Sequence, residues 1–304
     1  MKSLFLSSLL ALGLLAVPAQ AAEYPAKPIT LMTAFNAGGG SDVSHRLLEK
    51  FAKGVFDQPI VVTYKAGAGG EIGWTWLVGA KADGYTIGGV DLPHIVLQPM
   101  LRPEGQPGYK TEQLSPLCGL VYDADVVMVP EDGPYKTFKD LIEYAKANPG
   151  KVKVATVGKL TGAKFTQVPY SGSGKAIPAL LSGEVDAYFG SGSSFLRMEK
   201  TRGLAIGSKE RYELCPDVPT FIEQGYAIES GKYRGLATPQ NIPAEARQYL
   251  ETKFAELCAN PEYQKAVKSS GLMPQFQTGK AFGEIIRTEG EQAKKILEAY
   301  GLLK

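Results

Sequence analysis

Two histidines and three cysteines in 304 residues leave little material for metal or thiol chemistry. His45 and His94 are far apart, and Cys118, Cys215 and Cys258 show no Cys-x-x-Cys spacing, so no metal site and no cofactor are expected. The odd cysteine count leaves at least one free thiol, and small buried hydrophobes are the expected role. No basic run is present; 33 Lys and Arg are scattered against 31 Asp and Glu, which argues against nucleic acid as a partner. Beyond residue 22 no apolar run is long enough to span a bilayer. Catalytic motifs are missing too. Gly-x-Ser-x-Gly does not occur, and neither Gly38-Gly39-Gly40 nor Gly67-Ala68-Gly69-Gly70 completes Gly-x-Gly-x-x-Gly. Ser171-Gly172-Ser173-Gly174-Lys175-Ala176 imitates a phosphate loop, but Pro169 stands where its first glycine belongs and Ala176 where Ser or Thr is needed.

What is present begins with a secretory pattern. Lys2 is followed by the apolar stretch Leu4 to Val17 and by Ala19-Gln20-Ala21, a small-x-small triplet, so residues 1–21 are expected to be a cleavable signal peptide and the rest to work in the periplasm. The remaining chain, in a sequence that is 44% apolar overall, is large enough for a sizeable core in one or two domains.

The organising stretch is Ala34-Phe35-Asn36-Ala37-Gly38-Gly39-Gly40-Ser41-Asp42. It follows the apolar strand pattern Ile29 to Thr33 and precedes a helical pattern carried by Val43, Leu47, Leu48, Phe51 and Val55, with Ser41 as the expected cap and His45 on the solvent face. The order strand, glycine turn, helix start points free N–H groups at whatever occupies the turn. Pro59 to Tyr64 reads as a second strand, Lys65-Ala66-Gly67-Ala68-Gly69-Gly70 as a second such turn, Glu71 to Ala80 as a helix and Tyr85 to Val90 as a third strand. That alternation predicts a parallel sheet with both turns on one edge, where two anion-friendly turns make a pocket. Asp91-Leu92-Pro93-His94 closes the third strand at the same edge.

Leu101 to Ser115 reads as a loop, and Leu117–Tyr122 and Val126–Pro130 as two separate apolar segments. The middle then repeats the α/β pattern as a second lobe: a helix over 137–147, strands over 151–157 and 165–169, a Gly-Ser turn at Ser171 to Gly174 opening a helix, and a strand Val185 to Phe189 ending in Gly190-Ser191-Gly192. The last third reads as three helices, beginning near Pro243, Pro261 and Lys280.

Several motifs in order resemble one family. Tyr24-Pro25-Ala26-Lys27-Pro28-Ile29, the Ala34 to Asp42 turn, Gly67-Ala68-Gly69-Gly70-Glu71-Ile72-Gly73 and Ala82-Asp83-Gly84-Tyr85-Thr86 look like the first half of the substrate-binding proteins of tripartite tricarboxylate transporters, the Bug family. Val168-Pro169-Tyr170-Ser171-Gly172-Ser173-Gly174, Gly183-Glu184-Val185-Asp186 and Pro216-Asp217-Val218-Pro219-Thr220 look like its second half. The resemblance implies an α/β, two-lobed periplasmic binding protein of the type II, Venus-flytrap-like class, with lobe 1 from 22–120 plus 235–304 and lobe 2 from 121–234. It implies a monomer that captures a small carboxylate without turnover and hands it to an inner-membrane permease. The implied ligand contacts are Phe35, Asn36, Ala37, Gly38, Gly39, Ser41 and Asp42 in the first turn, and Ala66, Gly67, Ala68, Gly69 and Gly70 in the second. Pro93, replacing the family's hydroxyl, and His94 form a third contact; Ser171, Gly172, Ser173, Asp186 and Ser191 come from the far lobe. Neither glycine turn carries an arginine, so neutral N–H groups, hydroxyls and water are expected to supply the attraction.

One departure stands out. Between Val154-Ala155-Thr156-Val157-Gly158 and Lys159-Leu160-Thr161-Gly162-Ala163 the family has a serine-glycine turn and a helix that are not found here, so an incomplete second lobe is expected. Two other readings follow from the residues: a receptor scaffold that has lost its ligand and serves signalling or interaction, and a secreted enzyme on small acids with Asp42 or His94 as its base.

Overall fold

The computed structural model describes residues 23–102, 108–155, 163–168, 170, 173–299, 301 and 303. The signal-peptide expectation therefore falls outside the described residues. The first strand, β1 (Ile29–Thr33), leads into α1 (Gly40–Ala52), β2 (Ile60–Tyr64) into α2 (Glu71–Val78), and β3 (Thr86–Asp91) into α3 (His94–Leu101). β1 pairs in parallel with both β2 and β3, which brings the two glycine turns and Asp91 to one sheet edge.

Strand alternation sets the layers. Along β1, Leu31 packs with Leu48 and Phe254 on one face, and Met32 with Trp74 and Leu77 on the other. The sheet is thus covered on both sides, the α/β arrangement expected of parallel strands.

β4 (Leu114–Pro130) is one strand of 17 residues where the sequence suggested two segments. Its polar interruption, Asp123-Ala124-Asp125, is not a turn; both carboxylates are held by partners described below. After it come α4 (Phe138–Ala147), β5 (Lys153–Ala155), β6 (Thr166–Val168), α5 (Ser173–Leu181), β7 (Ala187–Ser191), α6 (Gly192–Phe195) and β8 (Thr201–Ile206). The chain closes with β9 (Gly231–Pro239), α7 (Ala244–Ala259), α8 (Pro261–Ser269), β10 (Met273–Thr278) and α9 (Gly279–Ala299). β9, β10, α3 and the single-turn α6 are additions to the sequence reading.

The strand order is β2-β1-β3-β9-β4-β7-β5-β6, with β8 and β10 also paired to β4. The fold is two-lobed, and β4 runs between the lobes. The first half of β4 pairs antiparallel with β9 and β10, the second half with β7 and β8. In the second lobe Val127 and Val129 face the cluster around Phe138, while Val126 and Met128 face the cluster around Leu180, so this lobe too has two apolar faces. β5 and β6 are parallel neighbours. Residues 156–162 between them, where the sequence suggested a missing helix, lie outside the described residues.

Candidate functional site

A cavity of about 610 Å³ opens where the strand ends of the two lobes face each other. One wall is built from Phe35, Asn36, Gly38, Gly39 and Gly40, from Ala66, Gly67, Gly69 and Gly70, and from His94. The facing wall carries Tyr170, Tyr188, Phe189, Gly190, Ser191, Ser194 and Arg197, and β9 contributes Lys232 and Arg234.

The first glycine turn is braced from behind. Asp42 accepts hydrogen bonds from the Gly38 amide at 2.8 Å and the Tyr64 hydroxyl at 2.5 Å. Burial pushes the Asp42 carboxyl up, but these two donors and Arg46 together hold it below the usual carboxylate range. Ser41 donates to Asp91 at 2.6 Å. Both polar side chains of the first helical turn are thereby engaged away from the cavity, and neither joins its wall. Gly39 occupies the N-cap position with no side-chain cap, so the first amides of α1 have no intrahelical acceptor and sit at the positive end of the helix. Ser41 was the expected cap; its hydroxyl is committed to Asp91 instead.

The second turn differs, because the Glu71 amide that follows it already donates to the Ala68 carbonyl. Ala68–Gly70 form a short 3-10 turn, and Gly70 precedes α2 as its N-cap residue in the left-handed conformation, φ 101°, again without a side-chain cap. The Trp74 ring fills the space a Cβ at Gly70 would need, so glycine is required there twice over.

Beneath the cavity lies a buried charge network. Arg234 is 5% exposed; its Nε lies 3.1 Å from Asp91 and its Nη1 donates to Asp123 at 2.9 Å. Asp123 also accepts from the Ser193 amide at 3.0 Å and hydroxyl at 2.8 Å. A continuous chain, Ser41–Asp91–Arg234–Asp123–Ser193, therefore joins the first turn of α1 to the first turn of α6 on the facing wall. Lys232 pairs with Asp125, which also accepts from Ser230 at 2.7 Å. Arg197 is exposed, and its side chain has no hydrogen-bonding or ionic partner among the described residues.

His94 opens α3 and meets Phe35 edge to face at 5.6 Å between ring centres. Its Nδ1 is buried without a hydrogen-bond partner among the described residues. Burial lowers the pKa of the ring, with Lys232 and Arg234 acting in the same direction against Asp91 and Asp125. His45 is a correction: expected on the solvent face, it is 1% exposed and shares a hydrogen bond of 2.7 Å with Thr33 through Nδ1. It fits because Gly89 opposite has no side chain; a Cβ there would collide with the imidazole.

Of the residues expected at the site, Phe35, Asn36, Gly38, Gly39, Ala66, Gly67, Gly69, Gly70, His94 and Ser191 line the cavity. Ala37, Ser41, Asp42, Ala68, Pro93 and Asp186 are not part of its wall. Asp186 accepts the Lys153 amide at 2.7 Å. Ser171 and Gly172 lie outside the described residues, as does the side chain of Ser173, which opens α5. The three basic side chains were not anticipated. Both turns do lack them, but β9 and the residues after α6 bring them in. A usable signal was the spacing Lys232-Tyr233-Arg234, two cations on one face of a strand.

Among the described residues that line the cavity there is no carboxylate, against three basic side chains and two helix starts without side-chain caps. Such a wall accepts an anion. Among the described residues no cluster of His, Cys, Asp and Glu is placed to hold a metal ion, and no helix is long and apolar enough to cross a membrane.

Comparison with known proteins converges with this geometry. The family model described as tripartite tricarboxylate transporter family receptor matches residues 45–302. Protein BugT of Bordetella pertussis (strain Tohama I) is 34% identical over 287 residues, covering 87% of this chain and 86% of that protein. A solved structure described as a periplasmic transporter superposes with a TM-score of 0.82 at 28% identity, over 92% of this chain and 99% of its own. The periplasmic binding protein BugD superposes with a TM-score of 0.78 at 25% identity, over 92% and 100%.

Proposed function

The chain belongs to the tripartite tricarboxylate transporter receptor family, and on that premise we propose that it captures a small organic carboxylate in the cleft between its lobes, without turnover, for an inner-membrane permease. The observation that carries this reading is the cavity wall: Arg197, Lys232 and Arg234 with no lining carboxylate among the described residues, beside the open helix start at Gly39. Lys232 and Arg234 already have acidic partners, so they offer directional donors more than net charge. Arg197 adds a free cation from the facing wall. Phe35, Tyr170, Tyr188 and Phe189 give the middle of the cavity an apolar body, the usual composition of a small-molecule site.

The remaining parts of the reading rest on the same footing. The protein works in the periplasm as a monomer after removal of residues 1–21. Lobe 1 comprises 22–120 plus 235–304 and lobe 2 comprises 121–234; the change of strand partners along β4, from β9 and β10 to β7 and β8, supports a crossing between them.

The test is a thermal-shift screen of the mature protein against malate, adipate, glutamate and benzoate, followed by calorimetry on each acid that shifts it. Saturable one-to-one binding with no product by mass spectrometry is expected. A folded protein that no acid shifts overturns the reading and favours a scaffold without a solute. Conversion of a bound acid would make the protein an enzyme.

A further inference from the structure

His94 stands in an unusual place for a histidine. Its ring is part of the cavity wall, its Nδ1 is shut off from solvent, and no donor or acceptor among the described residues meets that nitrogen. The groups that face it come from three strands: Asp91 on β3, Asp125 on β4, and Lys232 and Arg234 on β9. α3 itself, His94–Leu101, supplies no other ionisable side chain. In the empty cavity the two cations and the loss of solvent oppose a third positive charge, and the two carboxylates are already engaged with those cations. A carboxylate entering beside the ring reverses that balance, because it brings an unpaired negative charge into a site of low polarisability.

We propose that solute capture transfers one proton from the solvent onto the His94 imidazole, so that binding tightens on acidification. The solute remains an anion; the imidazole becomes imidazolium, and the buffer acid is left as its base. The proposal rests on the carboxylate reading above. The empty protein keeps the ring neutral near pH 7, as burial dictates. The bound protein has the higher ring pKa. Affinity is therefore flat above the bound value, rises as pH falls between the two values, and is flat again below the free one.

Calorimetry with malate and adipate, in buffers of high and low protonation enthalpy, reads the proton directly once the acid's own titration is subtracted. Uptake of a fraction of a proton is expected at about pH 6.5, with affinity about tenfold higher at about pH 5.5 than at about pH 8. In His94→Gln the remaining affinity should lose this pH slope. Ring NMR gives a third readout: with two histidines in the chain and His45 held down to about 4, the ring resonance that disappears in His94→Gln is that of His94. Its midpoint should move up on saturation. Equal heats in both buffers, or the wild-type slope surviving in His94→Gln, overturns the proposal while leaving carboxylate capture intact. Failure of every acid in the screen to bind removes both.

Discussion

The guanidinium of Arg234 lies against the Cα of Gly40, where a Cβ would come within 2.6 Å of Nη2 and 2.9 Å of Cζ. The first residue of α1 is thus stacked on a buried cation, and glycine permits the approach. Helix propensity alone favours alanine over glycine by about 1 kcal/mol, so Gly40→Ala would stabilise an isolated helix. Arg234 cannot swing aside cheaply, because Asp91 and Asp123 hold two of its nitrogens. We expect Gly40→Ala to lower Tm and weaken carboxylate binding about tenfold, since a bond to a charged donor is worth on the order of 1.5–3 kcal/mol. Melting curves and calorimetry decide; a raised Tm with unchanged affinity would show that the guanidinium yields freely.

Arg234→Met leaves Asp91 and Asp123 buried and facing each other without their cation. Removing one partner of a buried ion pair costs roughly 3–5 kcal/mol, far more than the pair itself contributes. Urea unfolding should show a loss of that order, and adding Asp123→Asn should restore part of it. If the double variant were no more stable than the single one, charge burial would not be the cause.

What could be read from the chain alone followed the range of the interactions. Both glycine turns were legible because strand, turn and helix start are contiguous; Trp74, which needs glycine at Gly70, is local, whereas Arg234, which needs it at Gly40, is not. β9 was not legible, since Lys232 and Arg234 break the apolar pattern of a buried strand. Their partners, Asp125 and Asp123, lie over 100 residues earlier, with separations of 107 and 111. The same pairing made Asp123-Ala124-Asp125 look like a gap in β4. His45 was expected on the surface of α1; the space that buries it comes from Gly89, on another strand.

Burial pushes the His45 imidazole down to about 4, against the pull of Asp91. The unfolded chain holds an ordinary histidine near 6.5, so between these values the unfolded state binds more protons and stability falls as pH falls. Above about 6.5 the contribution is complete, and by about pH 4 it is lost, a difference of about 3 kcal/mol. We expect the pH slope of unfolding free energy in this window to flatten in His45→Gln. An unchanged slope would assign the acid sensitivity to carboxylates instead.

Arg197 separates the two ways a basic residue can serve the cleft. It is exposed, and its side chain has no partner among the described residues, whereas Arg234 is buried in a network that the fold itself needs. Replacing it with glutamine breaks no structural bond, so stability should change by no more than about 0.5 kcal/mol. Affinity is another matter. A charge-assisted bond to the solute is worth on the order of 1.5–3 kcal/mol, and Arg197→Gln should weaken carboxylate binding roughly tenfold to a hundredfold. Because the lost term is Coulombic and near solvent, the variant's affinity should also fall less steeply with added salt than that of the wild type. Arg197→Lys should recover part of the affinity, since it restores the charge without the two-pronged donor geometry. Calorimetry at two salt concentrations reads all three effects, and an Arg197→Gln protein that binds as tightly as the wild type would mean that the facing wall holds the solute through Ser191, Ser194 and its aromatic rings.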